Sequence, residues 1–100
     1  MPTWDKLARF RHDWKKLTEA EKRLFLAAVT MFVEDLRAGN GFRKSLRVKP
    51  VQGKDGVWEM TWSMGSFDGR ATFEFGDEVV EGEPHVIWRR IGGHEIFKDA

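Results

Sequence analysis

The chain has 100 residues, 41% hydrophobic and 33% charged, with a formal charge of +1 at pH 7, which suits one ordinary globular domain and gives no bulk electrostatic sign of a nucleic-acid partner. The absence of cysteine excludes disulfides, thiolate metal sites and cysteine nucleophiles. Three histidines without a CxxC or HExxH pattern give no metal site, no cofactor is expected, and the lack of any apolar run near the roughly 18 residues of a membrane span argues against a membrane partner.

The first third reads as two helices. Leu7, Phe10, Trp14 and Leu17 recur at three- and four-residue steps, one face of a helix ending near Leu17. Thr18-Glu19-Ala20-Glu21 fits a capping box, so a second helix starts at Thr18. Its stripe of Leu24/Phe25, Ala28/Val29, Phe32/Val33 and Leu36 is wide. Gly39-Asn40-Gly41 tolerates left-handed backbone angles and stops it. The opening Met1-Pro2-Thr3-Trp4-Asp5 lacks the order of a signal peptide, so a cytoplasmic location is expected.

After Gly41 the period changes to two. Leu46 and Val48 alternate with Arg47 and Lys49. Trp58, Met60, Trp62 and Met64 alternate with Glu59, Thr61 and Ser63, and Ala71, Phe73 and Phe75 with Arg70, Thr72 and Glu74. Val86-Ile87-Trp88 begins a denser run to Ile91, as in a central strand covered on both sides. Asp55-Gly56 and Asp68-Gly69 are turn signals, and Gly82-Glu83-Pro84 closes an acidic loop. Helices first and strands afterwards predict an α+β domain over residues 1–100, with two N-terminal helices on one face of an antiparallel sheet of about four strands. The other face is expected to stay open, bearing Glu59, Thr61 and Ser63 as a polar platform.

Charge is unevenly spread. Residues 42–54 carry five Lys and Arg and no acid, and residues 77–83 four acids and no base. These read either as a basic face and an acidic loop or as solvated edges.

Several stretches carry a family resemblance. Val86-Ile87-Trp88-Arg89-Arg90-Ile91-Gly92-Gly93-His94-Glu95-Ile96-Phe97 resembles the end of RelE/ParE toxins of type II toxin–antitoxin pairs: a hydrophobic strand, a glycine turn with a histidine or basic residue, then an aromatic. Asp68-Gly69-Arg70-Ala71-Thr72-Phe73 resembles their preceding strand. Leu46-Arg47-Val48 followed by Trp58-Glu59-Met60 resembles an earlier region.

The resemblance implies a RelE-like fold and a metal-independent mRNA endonuclease (an mRNA interferase) acting on mRNA at the bacterial ribosome, with a cognate antitoxin as partner. It implies Arg70 as the arginine aimed at the RNA phosphate, His94 as the proton-transfer residue and Phe97 as the C-terminal aromatic that meets a base. Arg89 or Arg90 would supply a second cation, and regular strand geometry lets only one of them face the site. Arg47 and Lys49 are further substrate-binding candidates, and Glu59 is a possible base. Two departures stand out. RNA-cutting members often carry cations where this chain has Glu59 and Thr61, and the chain has no tyrosine. The alternatives are a ParE-like protein that binds DNA gyrase without catalysis, or a non-toxic interaction domain of the same fold.

The chemistry suits the residues. Cleavage through the ribose 2′-OH needs a base, an acid and positive charge on the phosphate, and each proton transfer can contribute about 10²–10⁴-fold. Imidazole exchanges protons near neutrality, and guanidinium matches phosphate oxygens in two-point contact. Against these roles, His94 also reads as a surface residue, Arg70 as a salt-bridge partner of Glu74, and Phe97 as a satellite of the core. His12 reads as a surface residue and His85 as a loop residue.

Overall fold

Thr18 opens the long helix by the expected reciprocal cap. Its hydroxyl accepts the Glu21 N–H at 3.1 Å, and the Glu21 carboxylate accepts the Thr18 N–H at 2.8 Å. In the computed structural model, which describes residues 2–100 apart from the side chain of Lys98, this helix, α2, spans Glu19–Ala38. It ends at Gly39, whose φ of +72° suits glycine and whose N–H returns to the Asp35 carbonyl. The preceding helix, α1, is shorter than its apolar stripe suggests, Ala8–Trp14. The Lys16 and Leu17 N–H groups close a tight turn on the Asp13 and Trp14 carbonyls, so Leu17 reaches the core from that turn.

The sheet has five strands in the order β1-β5-β4-β3-β2. They span Thr3–Lys6 (β1), Lys49–Pro50 (β2), Trp58–Ser63 (β3), Asp68–Gly76 (β4) and His85–Gly92 (β5). Strands β2 to β5 form the expected antiparallel meander. β1 was not expected. It pairs in parallel with β5, Thr3 opposite His85 and Lys6 opposite Trp88, which makes the sheet mixed and puts β5 inside it. The strand expected over Leu46–Val48 is also corrected. Lys44–Leu46 forms a 3₁₀ turn that buries Leu46, and Arg47 at φ +44° redirects the chain. Only Lys49 and Pro50 then pair, and Pro50 has no N–H to continue the ladder.

The helices cover the face bearing Trp58, Met60 and Trp62, as the alternation required. Phe32 meets Phe73 edge to face at 5.0 Å, and Phe25 meets Trp62 at 5.2 Å and Trp88 at 5.4 Å. These rings, with Phe10, Leu46, Met60, Ala71 and Ile91, form the main core. Gly69 is required here: a Cβ on it would lie 2.8 Å from the Trp62 ring.

The opposite face is not the open platform expected. A C-terminal 3₁₀ helix, His94–Asp99, crosses it. Ile96 is fully buried there, and Phe97 and Ala100 pack with Val51 and Val57 from the β2–β3 connection. Thr61 and Thr72, placed in water by the alternation, are 3% and 0% exposed. Apolar side chains at Val51, Val57, Ile96 and Phe97 make this cover favourable.

A bulge in the β4–β5 ladder sets what reaches that cover. Phe73 pairs with Trp88 and Thr72 with Arg90, so Arg89 is the extra residue. Regular alternation allowed one of the two arginines to face the site. With the bulge, both bond the C-terminal segment, Arg89 to the Ala100 carbonyl and Arg90 to the Asp99 carbonyl.

Candidate functional site

The turn that leaves β5 is held by its own side chain. Glu95 folds back so that Oε1 accepts the Gly93 N–H at 3.0 Å. A Cβ on Gly93 would lie 2.6 Å from Glu95 Oε2, so the missing side chain makes room for the carboxylate. The Gly93 and Glu95 backbone N–H groups hold the Glu95 carboxyl below its usual range. The turn starts the C-terminal 3₁₀ helix and leaves His94 exposed at its first position.

His94 and Phe97 are three residues apart on that helix, where side chains eclipse. Their rings meet edge to face with centroids 5.4 Å apart. Arg70 reaches the same ring from β4, its guanidinium carbon 5.5 Å from the ring centre. Two residues from distant parts of the sequence, a half-buried cation and an exposed imidazole, therefore gather around the half-buried Phe97 ring. Among the described residues Arg70 has no carboxylate partner. The acid that the sequence offers it, Glu74, pairs with Arg89 at 2.7 Å.

The other predicted residues lie around this cluster in different states. Glu59 is opposite Thr72, and Thr61 is opposite Arg70, so Glu59 sits diagonally from Arg70 on the same face, roughly 7–8 Å away. Lys49 lies 3.7 Å from Glu59 across β2 and β3. Arg47 pairs with Asp68 at 3.1 Å. Arg89 and Arg90 are tied to Glu74 and Asp13. Much of the basic stretch over residues 42–54 is likewise answered by acids, because Arg43 grips Asp35 through both its backbone and its side chain. That grip lowers the Asp35 carboxyl from its ordinary value. Of the remaining histidines, His12 is exposed on α1, and His85 opens β5 with its Nδ1 2.7 Å from the Thr3 hydroxyl.

Asp13 was missed in the sequence. It is 7% exposed, takes two bonds from Arg90 at 2.6 and 3.1 Å, and accepts the Ile91 N–H at 3.1 Å. It thereby pins α1 to the end of β5 beside the glycine turn. Its signal was present: an acid three residues after Phe10, on the edge of the apolar stripe. A second tie, Arg9 to Asp99, joins α1 to the far end of the C-terminal helix. Among the described residues no group of three or more His, Asp or Glu is placed to hold a metal ion, and no helix is long and apolar enough to cross a membrane.

No protein-family model matches the chain, and no curated protein matches it. Solved structures do. E. coli YafQ in its complex with DinJ superposes with a TM-score of 0.62 over 95% of this chain and 96% of that chain, at 11% identity. A histidine-to-glutamine mutant of E. coli YafQ superposes with a TM-score of 0.58 over the same shares, at 13% identity.

The fold is RelE-like.

At these identities the likeness concerns the course of the chain, and residue roles rest on the geometry. In this RelE-like frame the glycine turn, His94 and Phe97 follow the last strand, and Arg70 comes from the strand beside it.

Proposed function

We propose that the protein is the toxin of a type II toxin–antitoxin pair and cuts mRNA on the ribosome through the ribose 2′-OH, without a metal. The observation that carries this reading is the gathering of Arg70, His94 and Phe97, with Arg70 free of any acid among the described residues. Arg70 faces the non-bridging oxygens of the scissile phosphate in two-point contact. The His94 imidazole takes the 2′-OH proton as that oxygen bonds to phosphorus. The bond from phosphorus to the 5′ oxygen breaks, its electron pair stays on that oxygen, and a water proton completes the new hydroxyl. His94 then returns its proton to solvent. Phe97 holds the cation and the imidazole in register and meets a base with its exposed edge. Glu59 lies on the same face and is the second candidate base. Arg47, Lys49, Arg89 and Arg90 border the site as secondary cations, each already facing an acid.

An antitoxin partner is part of this reading. It is supported by the DinJ–YafQ complex as a neighbour in fold and by an apolar recess of about 260 Å³ whose lining includes Trp4, Leu26 and Val33. Trp4 is 60% exposed, an unusual state for a tryptophan with no partner surface.

The test is mRNA cleavage in a bacterial translation extract, with cut positions mapped and end groups analysed. Discrete cuts on translated message with 2′,3′-cyclic phosphate and 5′-hydroxyl ends are expected. Uncut message, in an extract where a known nuclease toxin works, overturns the reading.

A further inference from the structure

Helix α1 carries a charge pattern that the site around Phe97 does not use. Between residues 6 and 17 there are five Lys and Arg, one histidine and a single acid, Asp13. That acid is buried against Arg90 and the Ile91 N–H. Every exposed charge on the helix and the turn after it is therefore positive. Arg9 is answered by Asp99. Arg11, Lys15 and Lys16 are exposed and have no ion pair among the described residues. A protein of formal charge +1 thus keeps a locally cationic surface here, while in the basic stretch over residues 42–54 Arg43, Arg47 and Lys49 each face an acid.

A recess at one side of this surface shares one of its three unpaired cations, Lys16. It is shallow, about 310 Å³, and opens beside α1, lined by Ala8, Arg9, His12, Asp13, Lys16 and Arg90. Its lining holds no Val, Leu, Ile, Met, Phe or Trp, and its carbon surface comes from Ala8 and from the stems and ring of charged and imidazole side chains. A protein partner needs an apolar patch at the centre of its interface, and this molecule keeps that kind of surface elsewhere, around Trp4 and Leu26. A phosphodiester backbone needs cations and donors spaced along a surface. The recess also adjoins the site, because Arg9 and Arg90 bond Asp99, the last residue of the 3₁₀ helix that begins at His94. Five residues of 3₁₀ rise separate them, roughly 10 Å.

We infer that the α1 surface, centred on Arg11, Lys15 and Lys16, is a second RNA-backbone contact that holds the strand leading away from the Arg70–His94 cluster. The inference rests on the ribonuclease reading and adds a surface to it. These residues bind phosphates without regard to sequence and take no part in the proton transfers.

The test uses the full chain and a fluorescein-labelled single-stranded 2′-O-methyl RNA, which lacks the attacking hydroxyl and stays whole. The variant is Arg11→Ala/Lys15→Ala/Lys16→Ala, checked for an unchanged fold by circular dichroism. Removing three phosphate contacts lowers the slope of log affinity against log salt by about 2 for a single strand. Affinity at low salt is expected to fall by roughly tenfold or more with it. Binding by the variant with wild-type affinity and slope overturns the inference and leaves the ribonuclease reading standing. A wild type that binds the RNA through α1 and never cuts message in the extract sinks the catalytic reading alone. A wild type that ignores RNA but binds polyglutamate, with the variant losing that binding, also overturns the inference and makes α1 a surface for an acidic protein segment. Binding of neither probe overturns it too.

Discussion

Arg70 and Phe97 sit 27 positions apart in sequence, yet the Arg70 guanidinium carbon lies 5.5 Å from the centre of the Phe97 ring. The same ring takes His94 on its edge and packs with Val51, Val57 and Ala100. Phe97 is thus both a satellite of the core and the floor of the candidate site.

These two roles separate in a Phe97→Leu variant. Leucine keeps apolar contact with Val51 and Val57, so stability should change by under about 1.5 kcal/mol. It removes the ring that faces Arg70 and His94, so cleavage should fall by roughly tenfold. Urea unfolding and cleavage rates on the same protein check this. Wild-type cleavage by a normally folded variant would leave Phe97 a packing residue only.

Asp13 holds a different kind of position. Removing it strands Arg90, which is mostly buried, and leaves the Ile91 N–H without its acceptor. Asp13→Ala should cost roughly 3–5 kcal/mol, read as a lower urea midpoint. The double variant Asp13→Ala/Arg90→Met should recover a good part of the loss, because no buried charge is then unpaired. A single variant as stable as wild type would show that the pair does not pin α1.

The Glu95 carboxyl gives the site a pH dependence of known sign. Its folded value lies below the ordinary 4.5, chiefly through the Gly93 N–H. The stability it supplies is therefore complete above the ordinary value and is lost as pH falls through the folded one. Thermal melts from about pH 7 down to about pH 3 should show Glu95→Gln less stable than wild type at neutrality, with the gap closing in acid. A gap constant with pH would contradict the role of the charge.

The fold was legible where pattern alone decides it. Thr18 and Glu21 marked the start of α2, Gly39 its end, and the alternation around Trp58, Met60 and Trp62 identified the buried face. What the sequence hid depends on partners far along the chain. Thr3–Lys6 has no period of its own and is a strand because β5 offers it an edge. Thr61 and Thr72 look like surface residues until Ile96 and Phe97 fold over them. Arg89 and Arg90 look like opposite faces of a strand until the bulge brings both to the C-terminal segment. Glu74 pairs with Arg89, the diagonal neighbour of its opposite residue Ile87 across β4 and β5, and this cross-strand choice leaves Arg70 without an acid among the described residues. The resemblance did place Arg70, His94 and Phe97 among the site candidates, and the geometry puts those three side by side.

The most direct test of the central claim is single-turnover cleavage of mRNA on programmed ribosomes by the wild type, His94→Ala, Arg70→Ala and Arg70→Lys. If the cluster is the site, His94→Ala should lose about 10²–10⁴-fold in rate. Arg70→Ala should fall comparably, and Arg70→Lys should recover part of that loss as a point charge without two-point contact. Correctly folded His94→Ala and Arg70→Ala variants that cut as fast as wild type would contradict it and place the chemistry elsewhere on the molecule.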